Sequence, residues 1–342
     1  MGFGTIVRLL LCLILTACLG HSFNRDKTVA RFENNRFHNL EPTKGKSFWD
    51  VMEWQFGSFL NSPAWPEYTE KKQFKVESTR SKPLKVVVIN HATVLIQMDH
   101  MNILTDPHFT IRASPVSFAG PARVVPPGVA FADLPPIDAV VISHNHYDHL
   151  DLPTLKMLEE KFSPTIFAGL GTKDFLEGEG MKKVVDMDWW ESSMFKNIRI
   201  TFTPAQHWSK RGLFDRNKML WGSFFIKGGQ SVYFAGDTGY GKFFKMIEQK
   251  LSAPDVSLLP IGAYEPRDFM LAHHMNPDDA VRAFQDLKTK QAYGMHFGTF
   301  KLTNEAIDDP PKDLAKALEK YKISKDRFIA PEFGRTYSQS IE

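Results

Sequence analysis

The chain has 342 residues, of which 43% are hydrophobic, and its formal net charge is +3, from 42 Lys and Arg and 39 Asp and Glu. This length and apolar content allow one large domain with a sizeable core. The nearly balanced charge gives no strong attraction to nucleic acid, so we expect no nucleic-acid partner. The sequence has no low-complexity tract and no repeat period that would indicate a solenoid.

The first 18 residues have the pattern of a secretory signal. An apolar run, Leu9–Leu15, follows Arg8 and is too short to span a bilayer comfortably. Its end, Leu15-Thr16-Ala17-Cys18, resembles the lipobox of bacterial lipoproteins, in which the cysteine becomes the lipidated first residue. The alternative is an ordinary cleaved signal or a short anchor. We expect a lipid-anchored protein of a bacterial cell envelope, on the periplasmic side and at the outer membrane.

Residues 19–80 are predicted to form an amino-terminal extension. Within it the segment 47–60 is rich in aromatic residues, and four large apolar residues fall near one helical stripe. They are Trp49, Met52, Phe56 and Phe59. Such a stripe could lie in a membrane interface or line an acyl groove. The alternative is that it docks on the core of the following domain.

Residues 81–342 are predicted to form the catalytic domain, in which a buried strand is followed by a dense cluster of histidines. The strand is Ile137–Ile142, and a helix is predicted at Pro153–Phe162. The turn between them holds three imidazoles and one carboxylate: His144, His146, Asp148 and His149. These groups favour zinc and its neighbours in the first transition row, whereas calcium and magnesium prefer oxygen ligands. The pattern predicts a metal site with room for two ions, and the alternative is a polar surface loop.

Three later strands are each predicted to end at a single His or Asp. They would place His207, Asp237 and His296 at strand ends. Each residue alone would more often be a capping or hydrogen-bonding residue. Together with the cluster they complete a set of seven candidate metal ligands.

Further helices are predicted between and after these strands. They are Lys242–Lys250, Asn276–Leu287 and Pro311–Tyr321. The second of them has the clearest start, because Asn276 is a good N-cap residue and Pro277 suits the first helical position.

The order of these ligands resembles that of the metallo-β-lactamase-fold hydrolases. The matching motifs extend from roughly Val86 to Gly334. The resemblance implies an α+β fold, an αββα sandwich of two mixed β-sheets flanked by helices, with the metals at one end. It also implies two Zn²⁺ ions per chain. By the same resemblance one ion would be held by His144, His146 and His207, the other by Asp148, His149 and His296, and Asp237 would bridge them.

Five separate segments are similar to the N-acyl-phosphatidylethanolamine phospholipase D family. They are 145–151, 203–208, 235–240, 260–267 and 296–300. The resemblance implies a dinuclear zinc phosphodiesterase that hydrolyses N-acyl-phosphatidylethanolamine, or a similar phospholipid, to N-acylethanolamine and phosphatidic acid. The alternative is a metallo-hydrolase of the same fold that acts on a lactone, a lactam or another ester. A metal-binding envelope lipoprotein without activity is a third alternative, and the intact ligand set argues against it.

The same resemblance suggests Asp106 and His274 as catalytic residues. For Asp106 a role as an acid and a role as the partner that orients a ligand histidine stay equally open. For His274 the alternative is an exposed residue before a helix. His273 departs from the family, where a glutamine is expected at this position.

Substrate contacts are predicted at Arg267 and Tyr264. Arg112 and Arg211 also lie in loops beside the motifs, and a guanidinium suits phosphoryl oxygens. The expected partners are a phospholipid substrate and, through the lipid anchor, a membrane surface. A homodimer is compatible with the sequence.

Overall fold

Two seven-stranded β-sheets lie face to face, with helices on their outer surfaces. The computed structural model describes residues 28–42, 52, 57, 62–77 and 80–339. The strands are β1 (Phe32–Glu33), β2 (Arg36–Phe37), β3 (Lys85–Asn90), β4 (Thr93–Met98), β5 (Met101–Thr105), β6 (Ala139–Ile142), β7 (Thr165–Gly169), β8 (Val184–Met187), β9 (Ser192–Phe195), β10 (Ile198–Thr203), β11 (Ser223–Lys227), β12 (Ser231–Phe234), β13 (Val256–Pro260), β14 (Gln291–Met295), β15 (Phe328–Ile329) and β16 (Thr336–Ser338). The helices with described bounds are α1 (Leu152–Phe162), α2 (Lys173–Gly178), α3 (Phe243–Leu251), α4 (Arg267–Met270), α5 (Pro277–Asp286) and α6 (Asp309–Lys320).

Both sheets are mixed, and each changes from antiparallel to parallel pairing once. The first has the order β16-β3-β4-β5-β6-β7-β8 and becomes parallel after β5. The second has the order β15-β14-β13-β12-β11-β10-β9; its pairs from β9 to β12 are antiparallel, and its pairs from β12 to β15 are parallel. Strands β5 and β6 therefore end at one edge of the first sheet, and β10, β12 and β14 end at one edge of the second. The predicted ligands follow these ends.

Alternate residues of the strands face two different cores, as the two-residue period of a strand requires. Val86 and Val88 of β3 lie in the core between the sheets together with Phe202 of β10. Val87 lies in the second core, beneath the helices, together with Leu155 of α1. The predicted αββα sandwich is confirmed.

The predicted helices are all present, with ends shifted by one or two residues. Asn276 caps α5 as predicted, because its side-chain oxygen accepts a hydrogen bond from the backbone N–H of Asp279 at 2.9 Å. The short helices α2 and α4 were not predicted, since four to six residues are too few to show a helical period.

The described part of the predicted extension packs on the catalytic fold. Ala30 and Phe37 are fully buried in the core between the sheets. The indole N–H of Trp65 donates to the carbonyl oxygen of Glu305 at 2.9 Å. Residues 28–42 and 62–77 therefore contribute to the same folded unit as residues 80–339.

The predicted signal segment, including Cys18, lies outside the described residues. Most of the aromatic segment 47–60 lies outside them as well. Among the residues that the structure describes, no helix has the length and apolar character needed to cross a membrane.

Candidate metal centre

The histidine-rich turn at residues 143–149 follows the end of β6, and its conformation is fixed by hydrogen bonds. The guanidinium of Arg211 donates to the carbonyl oxygens of Asn145 and Leu150 at 2.9 and 2.8 Å. It also lies over the ring of Tyr147, 4.0 Å from its centroid. Arg211 thus holds the backbone of the turn, and its guanidinium is engaged by these partners.

Three histidines meet at the first predicted metal position. The Nδ1 atom of His146 lies 2.8 Å from Nε2 of His144 and 3.2 Å from Nε2 of His207. Ligand nitrogens about 2.0–2.1 Å from one tetrahedral zinc ion would be about 3.3 Å apart, so the observed spacing approaches that of a metal site. The three residues form one of the His and Asp groups that could hold a metal ion.

Asp148, His149 and His296 meet at the second predicted position. The Oδ2 atom of Asp148 lies 3.3 Å from Nε2 of His149 and 3.4 Å from Nε2 of His296. The two imidazole Nε2 atoms are 3.2 Å apart. This group also matches the geometry of a site for one ion, and His91, which the sequence analysis missed, belongs to it.

The carboxylate of Asp237 lies between the two groups. Its Oδ1 atom is 3.1 Å from Nε2 of His296, and its Oδ2 atom is 3.3 Å from Nε2 of His149. Oδ2 is also 3.8 Å from Nε2 of His207, which belongs to the first group. One carboxylate that reaches both groups has the position required of a bridging ligand.

The two groups differ in their protonation in the absence of metal. Burial, reinforced by neighbouring histidines, lowers the pKa of His144 and His207 well below the usual value, and burial lowers the pKa of His146 to about 3. Burial would also lower the pKa of His296, but the charge of Asp237 and hydrogen bonds with Asp148 and Asp237 outweigh it and raise the pKa to about 9. The first group is therefore neutral, whereas the second holds protons.

The donor set fits transition-metal ions. It consists of imidazole nitrogens and carboxylate oxygens, all buried or half-buried. The Nδ1 atom of His274, which faces the carboxylate of Asp237, is buried and has no hydrogen-bond partner. Buried polar atoms are nearly always satisfied, so an unsatisfied nitrogen beside these donors indicates a ligand site.

Residues 101–297 match the family model for the beta-lactamase superfamily domain. The matched stretch contains all seven predicted ligands. The chain belongs to this superfamily of metallo-hydrolases.

Known members of the superfamily include two phospholipases D that resemble this chain. The chain is 39% identical to N-acyl-phosphatidylethanolamine-hydrolyzing phospholipase D 1 of Caenorhabditis elegans. The aligned region covers 74% of this chain and 75% of that protein. The chain is 35% identical to the mitochondrial N-acyl-phosphatidylethanolamine-hydrolyzing phospholipase D of Saccharomyces cerevisiae. The aligned region covers 69% of this chain and 52% of that protein. Among solved structures, isothiocyanate hydrolase from Delia radicum gut bacteria superposes with a TM-score of 0.61 at 20% sequence identity. The match covers 75% of this chain and 99% of that protein. That last likeness shows the fold alone.

In this metallo-hydrolase Asp106 contacts His149, one of the candidate metal ligands. It follows β5 and is fully buried. One carboxylate oxygen accepts from Nδ1 of His149 at 2.6 Å, and the other accepts from the backbone N–H of Ser143 at 2.7 Å. Of the two roles left open by the sequence, this geometry favours the orientation of His149. A direct role as an acid has no support here, because the carboxylate is enclosed.

His274, the second candidate catalytic residue, lies beside the carboxylate of Asp237. Its Nδ1 atom is 3.7 Å from Oδ2 of Asp237. Burial lowers the pKa of His274 to about 4, although the charge of Asp237 acts in the opposite direction. His274 is therefore neutral near pH 7. The neighbouring His273 contributes its carbonyl oxygen, which lies 3.0 Å from Nδ1 of His207.

The residues predicted to bind substrate have intramolecular partners instead. The guanidinium of Arg267 donates to the carbonyl oxygen of His274 at 2.7 Å and forms an ion pair with Asp279. The Tyr264 hydroxyl donates to Asp313 at 2.6 Å. Arg267 thus supports the segment that carries His274, and direct contact of Arg267 or Tyr264 with substrate has no support in this geometry. Arg112 is half-buried and donates to the carbonyl oxygen of Gly120 at 2.6 Å.

His91 was missed although its position repeats the pattern of the other ligands. It follows β3, and its Nε2 atom is 3.1 Å from Oδ2 of Asp148. Its carbonyl oxygen accepts from the backbone N–H of His296 at 2.7 Å. A histidine after a buried strand was the signal that identified His207 and His296, and the same signal would have found His91.

Proposed function

We propose that this metallo-hydrolase is a dinuclear zinc phosphodiesterase of the phospholipase D type. Its substrate would be N-acyl-phosphatidylethanolamine or a similar phospholipid, and its products would be N-acylethanolamine and phosphatidic acid. The observation that carries the proposal is the carboxylate of Asp237, which reaches both groups of ligands. The 39% identity to a phospholipase D of this specificity supports the substrate.

The residues around Asp237 fit a hydrolytic displacement at phosphorus. When bound, two divalent ions would lower the pKa of a bound water and stabilise charge on the phosphoryl oxygens. Neutral His274, whose Nδ1 atom lies 3.7 Å from Oδ2 of Asp237, would relay the proton of the attacking water to the leaving alkoxide. Asp106 and the carbonyl oxygen of His273 hold the rings of His149 and His207, which fixes the nitrogens directed at the ions.

An apolar loop beside the ligands supports a substrate presented by a membrane. The side chains of Leu213 and Phe214 are 74% and 67% exposed, six or seven residues after His207. Asp215 fixes the loop, because its carboxylate accepts hydrogen bonds from the backbone N–H groups of Arg211 and Gly212 at 3.0 and 2.8 Å. Two large apolar side chains on a fixed loop could enter the lipid surface from which the substrate is taken. An anchor at Cys18 in a bacterial envelope would be compatible with this arrangement.

The decisive test is turnover of a defined lipid. Vesicles that contain N-acyl-phosphatidylethanolamine are incubated with the zinc-loaded protein, and mass spectrometry follows the products. We expect N-acylethanolamine and phosphatidic acid in equal amounts, with turnover lost after chelation and restored by zinc. Release of free fatty acid instead, or turnover only of a water-soluble lactone or ester, would contradict the proposal and favour the alternative hydrolase.

The apolar loop gives a separate prediction. The double variant Leu213→Ser/Phe214→Ser should bind vesicles more than about 100-fold more weakly, because burial of each such side chain contributes about 1.5–3 kcal/mol. Vesicle sedimentation measures binding, and a soluble short-chain phosphodiester measures the chemical step, which should stay unchanged. Met194→Ser is the matched control, since Met194 is 62% exposed on edge strand β9. Equal binding by all three proteins would exclude a role for this loop.

A further inference from the structure

The backbone of His207 lies beyond the end of its strand and needs hydrogen-bond partners. Strand β10 ends at Thr203, and His207 is almost fully buried. A buried backbone N–H or C=O without a partner is costly, so native structures satisfy nearly all of them. At His207 both partners come from one side chain. The Nδ2 atom of Asn39 donates to the His207 carbonyl oxygen at 2.9 Å, and Oδ1 of Asn39 accepts from the His207 N–H at 3.1 Å.

Asn39 is itself fixed on both sides. Its Oδ1 atom accepts a second hydrogen bond, from the indole N–H of Trp221 at 3.0 Å. Just before it, the backbone N–H of Phe37 donates to the carbonyl oxygen of Asn217 at 2.8 Å. Just after it, the carbonyl oxygen of Glu41 accepts from the side-chain amide of Gln206 at 2.9 Å. The segment 37–41 is therefore held against both ends of the loop 206–217, which contains His207.

The ring of His207 is held by a different contact. Its Nδ1 atom lies 3.0 Å from the carbonyl oxygen of His273, which can only accept a hydrogen bond. The proton of the neutral ring therefore sits on Nδ1, and Nε2 keeps its lone pair toward His146. His273 sets the tautomer and rotation of the ring, while Asn39 sets the position of the backbone that carries it.

We propose that Asn39 is a positioning residue for the metal site formed by His144, His146 and His207. This inference rests on the proposed metal centre and extends it to the amino-terminal segment. Asparagine suits the position because one short side chain supplies both a donor and an acceptor. Aspartate would keep the acceptor but lose the donor to the His207 carbonyl oxygen, and alanine would lose both.

The test measures metal binding rather than turnover. Metal-free full-length wild type, Asn39→Ala and Asn39→Asp are titrated with Zn²⁺ in competition with a chromophoric chelator. We expect two binding steps in the wild type. In both variants one step should weaken by roughly 10-fold or more, the range for loss of a partner that orients a ligand, while the other step keeps its affinity. Arg31→Ala is the matched control, because Arg31 lies in the same described stretch as Asn39, residues 28–42, and its side chain pairs with exposed Glu33.

The outcomes separate this inference from the proposed function. Selective weakening of one step, with near-UV circular dichroism unchanged, supports positioning by Asn39. If both steps have the same affinity in the variants as in the wild type, the role of Asn39 is overturned and the proposed function still stands. A lower melting temperature with both affinities unchanged would likewise overturn it, since that result indicates a purely structural role. A wild type that binds no Zn²⁺ would overturn the metal centre itself. Should Asn39→Ala not fold, the nearly isosteric Asn39→Asp decides the matter.

Discussion

Asp237→Asn should reduce phospholipid hydrolysis by more than about 100-fold, because loss of a residue that merely orients a ligand already costs 10–100-fold. Asp237 reaches both ligand groups, so this substitution removes the one negative charge that they share. The amide keeps the shape of the carboxylate but offers a single, neutral acceptor. Metal content, measured by inductively coupled plasma mass spectrometry, should fall together with turnover in the vesicle assay.

The matched control is Asp255→Asn. Asp255 precedes β13, and its carboxylate accepts hydrogen bonds from the backbone N–H and hydroxyl of Ser231, both at 2.9 Å. It belongs to none of the groups that could hold a metal ion among the described residues. Metal content and turnover should therefore stay at the wild-type level. Turnover that survives in Asp237→Asn would refute the two-metal proposal, even if the protein keeps one ion.

The parts of the site that the sequence predicted are those with a local signal. His207, Asp237 and His296 each follow a short apolar strand, so their position at a sheet edge could be inferred from neighbouring residues alone. The histidine-rich turn was evident from the density of ligand-type side chains. The order of these groups, through the family resemblance, then predicted which of them share an ion.

The residues that support the site could not be predicted in this way. Asn39 is 168 positions from His207, and nothing in its own surroundings marks it as a partner. Arg267 stands in a segment similar to phospholipases D, which suggested substrate contact, but α5 brings Asp279 against its guanidinium. For Asp106 the sequence left two roles open, and only the packing of β5 beside β6 placed it against His149. Contacts between distant segments decide such roles.

Metal binding should depend on pH at one of the two ligand groups but not at the other. Burial alone would lower the pKa of His149, but the charges of Asp237 and Asp148 raise it well above the usual value, and the pKa of His296 is about 9. Both imidazoles hold protons at pH 7 in the metal-free protein, and an ion must displace them. Below its pKa such a histidine is protonated, and the proton competes with the metal ion for the ring nitrogen. The affinity of this group for Zn²⁺ should therefore rise as pH increases toward 9.

The expected size of this effect follows from the number of protons. Release of two protons gives up to about 100-fold higher affinity per pH unit, and the dependence on His296 should end above pH 9. The pKa of His144, His146 and His207 is lowered, so these neutral rings release no proton between pH 7 and 9. Calorimetric titration with Zn²⁺ in buffers of different ionisation enthalpy counts the protons released in each step.

His100→Asn provides the matched control, because His100 is exposed in the turn between β4 and β5 and lies outside every ligand group formed by the described residues. The number of protons that this variant releases on Zn²⁺ binding should equal that of the wild type. Asp148→Asn should release fewer protons in the pH-dependent step, since Asp148 helps to keep His149 and His296 protonated. Two steps with the same pH dependence would show that the ligand groups do not differ in protonation. The asymmetry predicted from the carboxylates around His149 and His296 would then be wrong, whatever reaction the centre catalyses.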